Sequence, residues 1–107
     1  MSGVVVFAMY RPHEGKRDAL KALVDVHLPT LREYEMVTDR PTLLLESGDG
    51  TFIEIFEWVS AASAEQVHQL PAVSKLWEQM GVVADFVRLC DLSEAEQTFP
   101  HFAPVED

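Results

Sequence analysis

Two residues that can exchange protons interrupt apolar patterns in this sequence. His27 lies between Leu23 and Leu31 on the apolar face of a predicted helix, so its imidazole should point toward a sheet. Glu54 lies on one face of a predicted strand among aromatic side chains, where a carboxylate is costly unless it is paired or protonated. A Glu54–His27 pair would satisfy both groups and would orient the imidazole as a general base toward a phenol or hydroquinone.

Each of these residues has an alternative interpretation. The pair forms only if the strand face that carries Glu54 is the face covered by helices. If that face points the other way, Glu54 lies at an interface between two copies of the chain and could pair with Arg88. His27 could equally be a core histidine whose ring is satisfied by a carboxylate or a carbonyl.

Further residues are candidates for the same pocket. His68, on the next helical segment, would either face the pocket or be exposed. Tyr34 could donate a hydrogen bond to a substrate oxygen. By residue type, His27, His68 and Glu54 would suit a non-haem metal ion. Their sequence spacing matches no known ligand pattern, so we predict neither a metal nor a cofactor. The aromatic residues that would line the pocket, or else fill the core, are Tyr34, Phe56, Trp58 and Trp77.

The first half of the chain predicts a strand, a helix and a hairpin. The helix, residues 16–35, contains Pro29, which should kink it or split off its last turn because proline lacks a backbone donor. Gly48-Asp49-Gly50 is a turn signal, and so short a connection requires the flanking strands to be antiparallel. The three predicted strands are residues 3–10, 42–47 and 51–59.

The second half predicts two helical segments and a last strand. Ser60 is a suitable N-cap for a short helix that reaches about residue 69. Pro71 suits the first turn of a further helix over residues 72–80, and Gly81 should end it. The final strand covers residues 82–92 and contains the single cysteine, Cys90, which we expect to be a small core residue.

The element order is β-α-β-β-α-β, the ferredoxin-like arrangement of an α+β domain with a four-stranded antiparallel sheet. We assign this domain to residues 1–92 and an acidic tail to residues 93–107, in which Phe99 and Phe102 should pack on the domain or its partner. Both sheet faces are apolar, yet the two helices can cover only one. We therefore expect a homodimer in which a second sheet covers the other face, with the tail as the alternative cover.

The composition limits the possible partners and location. The 107 residues carry a net charge of -10, which opposes binding to nucleic acid or anionic membranes. The apolar runs fall short of the ~20 residues that a membrane helix needs, and the N-terminus lacks the basic start of a signal peptide. We therefore predict a cytoplasmic protein.

Several segments of the chain resemble the dimeric α+β barrel superfamily, and within it the antibiotic-biosynthesis-monooxygenase-like domains. The resemblance rests on the opening strand VVVFAMY, on Gly15-Lys16 before the first helix, on FIEIFEW at Phe52–Trp58, and on His68 followed by Pro71. The stretch HLPTLREYEMVTDRP, residues 27–41, is similar to an uncharacterised branch. The resemblance implies a ferredoxin-like dimeric barrel with a pocket between helices and sheet.

The same resemblance implies two classes of function. One is a cofactor-independent monooxygenase that acts on a small aromatic or quinone-like substrate, with His27 as base and Glu54 as its orienting partner. The other is a non-catalytic ligand-binding or stress-associated dimer in which these residues are structural. Because the superfamily also includes haem enzymes, haem ligation by His68 follows by analogy alone.

Overall fold

The computed structural model describes residues 3–106, which form five strands and three α-helices. Short 3-10 turns cover Val67–Gln69, Leu89–Asp91 and Ser93–Glu96. In chain order the elements are β1 (Val4–Pro12), α1 (Arg17–Glu33), β2 (Leu43–Glu46), β3 (Phe52–Trp58), α2 (Ala61–Gln66), α3 (Pro71–Val83), β4 (Ala84–Val87) and β5 (Ala103–Pro104).

One open antiparallel sheet contains the described strands in the order β4-β1-β3-β2-β5. The first four strands, with α1 and α3, follow the ferredoxin-like order, so the predicted α+β fold is confirmed. The sheet has five strands rather than four because the tail adds β5 to the edge of β2, where the Val105 amide donates to the Leu44 carbonyl at 2.9 Å. The two edge strands do not pair within the described chain, so this sheet is not a closed barrel.

Helix α1 buries one face against the sheet and is not split at Pro29. It continues to Glu33, so the expected loss of its last turn does not occur. Pro29 lies on the exposed side of the helix, where a carbonyl left without an amide partner can be hydrated. The buried residues of this helix are Leu20, Val24, His27, Leu28 and Leu31.

The predicted helix end at Gly81 and the predicted bounds of the last strand, residues 82–92, are both wrong. Helix α3 passes through Gly81 and ends at Val83, whose carbonyl accepts a hydrogen bond from the His13 amide at 2.8 Å. Strand β4 is therefore only four residues long. The chain then turns at Leu89–Asp91, where the Asp91 carboxylate accepts from the Arg88 amide at 2.9 Å. Cys90 lies in this turn and is exposed, so its predicted place in the core is wrong.

The two faces of the sheet have different covers. Helices α1 and α3 cover the inner face, and the core there packs around Phe52 and Phe56. On the outer face, Met9 and Ile53 pack against Leu92, the last residue before the tail, with Phe102 of the tail beside them. Phe99 is 80% exposed and does not share in this packing. The remainder of the outer face includes Val5, Phe7 and Leu43, each about half exposed at 52%, 49% and 50%.

Candidate active site

A buried hydrogen-bonded pair, His27 and Glu54, joins the helix layer to the centre of the sheet. In the register of β1 and β3, Glu54 lies opposite Ala8, and its carboxylate reaches α1. Nδ1 of His27 lies 2.8 Å from Oε1 of Glu54, and both side chains are 2% exposed. The Glu54 face is thus the helix-covered one, and the alternative partner, Arg88, instead binds Asp91 at 3.0 Å.

The second ring nitrogen of His27 is held by a tryptophan. Nε1 of Trp77 donates a hydrogen bond to Nε2 of His27 at 2.9 Å. Because an indole N–H can only donate, Nε2 must be the acceptor and carries no proton. The proton of the neutral ring is then on Nδ1 and is donated to Glu54. The two neighbours therefore fix the tautomer and leave the basic lone pair on Nε2.

Tyr10 completes the cluster and was not predicted from the sequence. Its hydroxyl donates to the same Oε1 atom of Glu54 at 2.8 Å. Burial, together with the negative charge of Glu54 and the hydrogen bond to it, raises the pKa of Tyr10 well above its ordinary value. The phenol therefore keeps its proton, and Glu54 accepts from two neutral donors. The sequence signal that could have indicated Tyr10 is its position two residues after Ala8 on β1, because residues two apart on a strand share one face.

A cavity of about 290 Å³ opens beside this cluster, and we call it the front cavity. It lies along β1 where β4 has already ended, because β4 pairs only with residues 9–12 of β1. The His27 ring lies 5.8 Å from the Phe56 ring, centroid to centroid, at an interplanar angle of 86°. The volume and the aromatic wall suit a small ring-shaped ligand. The ring-bearing residues of the wall are Tyr10, His27, Phe56, Trp58, Trp77 and Phe86.

A second cavity of about 300 Å³ lies on the other side of Glu54, between α1 and strands β2, β3 and β5, and we call it the rear cavity. It is lined by more polar groups than the front cavity, including Asp25, Arg32 and Thr42 beside Glu54 itself. Within residues 3–106, the buried Oγ1 atom of Thr42 has no hydrogen-bond partner. Glu54 therefore separates an aromatic cavity from a polar one.

The remaining predicted residues lie at different distances from the cluster. Phe56, Trp58 and Trp77 line the front cavity. His68 is exposed, and its ring packs against the outer side of Trp77 at 5.4 Å, centroid to centroid. Tyr34 follows the end of α1, is 40% exposed and lies outside both cavity walls.

Residues 3–106 lack two kinds of feature, a metal-binding cluster and a membrane-spanning helix. No group of three or more His, Cys, Asp or Glu side chains is placed there to hold a metal ion. In the same part of the chain, no helix has both the length and the apolar character to cross a membrane.

The chain shares its fold with a solved protein. Neither the family models nor the curated proteins contain a match. Among solved structures, Rv0793 from Mycobacterium tuberculosis is similar, with 25% sequence identity and a TM-score of 0.66. The match covers 80% of this chain and 89% of that one. The likeness extends over most of both chains and supports the ferredoxin-like α+β domain.

Proposed function

We propose that the protein is a cofactor-independent monooxygenase of the antibiotic-biosynthesis-monooxygenase type, acting on a small aromatic or quinone-like substrate in the front cavity. The observation that carries this proposal is the environment of His27. Its Nδ1 proton is held by Glu54, and its Nε2 lone pair is directed to the side where Trp77 and the cavity lie. An oriented, neutral imidazole at the wall of an aromatic cavity is suited to general base catalysis.

In the proposed reaction, a hydroxyl of a bound hydroquinone replaces the indole N–H of Trp77 at Nε2 of His27. Nε2 then takes the hydroxyl proton, and the adjacent carboxylate of Glu54 stabilises the imidazolium. The electron-rich anion reacts with dioxygen. A hydroquinone and dioxygen give a hydroxyquinone and water, so the substrate supplies all four electrons and no reductant is required.

The test is oxygen uptake with a series of hydroquinones, followed by identification of the product by mass spectrometry. We expect His27→Gln to lower the rate by about 10²–10⁴-fold, the usual contribution of a general base. His13→Gln is the matched control, because His13 is an exposed loop histidine that pairs with Asp85 at 3.1 Å. Equal rates in the two variants, or hydroxyquinone formation without protein at the same rate, would refute the proposal.

The second candidate is a ligand-binding protein without catalysis, and the Trp77 hydrogen bond favours it. Both ring nitrogens of His27 already have partners, as in a satisfied core histidine. This candidate predicts that aromatic ligands bind without oxygen uptake. Isothermal titration with a non-oxidisable phenol, beside the oxygen electrode, separates the two.

We further propose that the outer face binds a second copy of the chain. In the register of the sheet, Phe7, Ile55 and Leu43 form one row across three strands, and Leu92 with Phe102 packs on the neighbouring row at Met9 and Ile53. A row of apolar side chains on one face of an antiparallel sheet suits a two-fold copy of itself. Sedimentation at micromolar concentration should give twice the chain mass of 12.0 kDa, and a monomer would exclude this assembly.

A further inference from the structure

We propose that the rear cavity holds water that exchanges protons between solvent and the Glu54–His27 pair. Glu54 links the two sides, since it lines the rear cavity and bonds to His27 and Tyr10, which line the front cavity. We call this path from solvent through rear-cavity water to Glu54 and His27 the proton route. Its use in catalysis rests on the proposed monooxygenase function. Proton exchange along the route can be measured without any substrate.

The two oxygens of the Glu54 carboxylate have different roles. Tyr10 and His27 both bond to Oε1, at 2.8 Å each. Among the described residues, no hydrogen bond ends on Oε2. Since the carboxylate lines the rear cavity, Oε2 is the oxygen that a water there can reach.

Thr42 supplies the second anchor for such a water. Its hydroxyl is buried and has no partner within residues 3–106, yet it lines the same cavity as Glu54. Buried hydroxyls are normally hydrogen-bonded, and ordered water satisfies many of those that lack a protein partner. A water that accepts from Thr42 and donates to Oε2 would satisfy both groups. The cavity, about 300 Å³, has room for several waters.

Charged residues of α1 connect this cavity to solvent. Asp25 and Arg32 belong to its wall and are exposed, so water at the outer end is well solvated. The front cavity has an aromatic wall instead, and a bound substrate would seal it. A proton received at Nε2 of His27 is compensated by transfer of the Nδ1 proton to Glu54 and on to rear water. Because the proposed reaction releases no net proton, Nε2 then gives its proton to the water that is formed, and Nδ1 takes one back from rear water through Glu54. This exchange restores the starting tautomer between turnovers.

The experiment measures how fast the Nδ1 proton of His27 exchanges with water, by nuclear magnetic resonance on the ¹⁵N-labelled full chain. Thr42→Val removes the hydroxyl at nearly constant shape and should slow this exchange at least about 10-fold, because the bridging water loses one of its two anchors. Thr42→Ser keeps the hydroxyl and should exchange like the wild type. Phe86→Trp narrows the front cavity and should leave the rate unchanged.

Three results would overturn the route. The first is an exchange rate that Thr42→Val leaves unchanged. The second is a slowdown in Phe86→Trp that equals or exceeds the slowdown in Thr42→Val. The third is exchange no faster than that of the buried Phe52 amide, which would indicate opening by global unfolding. None of these depends on turnover, so a failed oxygen-uptake assay would refute the monooxygenase without deciding the route.

Discussion

The two faces of β3 differ in which side chains they bury: the inner face buries a charged group, and the outer face leaves apolar groups partly exposed. The inner face encloses a carboxylate, Glu54, at 2% exposure and surrounds it with donors from a strand and a helix. The outer face carries Ile53 and Ile55 beside apolar neighbours such as Phe7, which is half exposed. A polar group that is fully buried marks a place where chemistry is possible. Apolar groups that are left open mark a place where another chain can bind.

The largest effect should follow from removal of the inner carboxylate. Glu54→Ala leaves the Tyr10 hydroxyl and the His27 Nδ1–H buried without an acceptor, so we expect the free energy of unfolding to fall by about 3–5 kcal/mol. Urea denaturation measures this loss in the free energy of unfolding. Glu57→Ala on the outer face, which removes bonds to Arg40 and Thr38, is the control and should change stability far less. Similar losses in the two variants would remove the contrast between the faces.

An intermediate effect is expected on the outer face. Phe7→Lys places an ammonium group in the proposed interface and should raise the Kd of the dimer roughly 100-fold while the domain stays folded. Sedimentation velocity over a dilution series measures the Kd. Val82→Lys is the matched control, because Val82 is 74% exposed on α3, away from the sheet. An equal shift in both variants would indicate a general charge effect.

The smallest effect concerns the pH dependence contributed by Tyr10. Its pKa is raised in the folded chain, whereas the unfolded chain releases the proton near its ordinary value of about 10. The folded state therefore binds more protons above pH 10, and the stability that Tyr10 contributes is lost as the pH rises beyond that value.

Tyr10→Phe should remove this part of the fall in the free energy of unfolding at alkaline pH. Urea denaturation between pH 9 and about 11 measures that free energy. Tyr34→Phe, at a tyrosine that is 40% exposed, should retain the fall. Phenolate absorbance of the folded Tyr34→Phe variant, in which Tyr10 is the remaining tyrosine, gives a second measurement and should show no ionisation near a pH of about 10. Ionisation there would contradict the buried hydrogen bond of Tyr10.

The sequence predicted the elements of the domain because their patterns are local. Alternation along β3 separated Glu54 from Ile53 and Ile55, and helical spacing placed His27 on the buried side of α1. Alternation gives two faces but does not tell which one meets the helices. That choice depends on the pairing of β1 with β3 and on the crossing of α1, which are tertiary properties.

The features that were missed depend on contacts between distant segments. Tyr10 was not predicted, and Trp77 was predicted as a pocket wall but not as a hydrogen-bond donor. They reach the Glu54–His27 pair from separations of 44 and 50 residues, and neither has a local pattern that marks a polar contact. The fifth strand was also missed, because it consists of two residues that pair through backbone groups alone. Gly81 stays helical since its neighbour Met80 is fully buried and tertiary packing outweighs a weak stop signal.

The short β5 strand has a consequence for how the protein behaves at high concentration. Its pairing with Leu45 and Glu46 occupies part of the edge that β2 would otherwise present. Pro104 in β5 has no amide hydrogen to offer to an incoming strand. Growth of the sheet from chain to chain, the first step toward fibrils, is thus blocked on this side by a proline-bearing end strand.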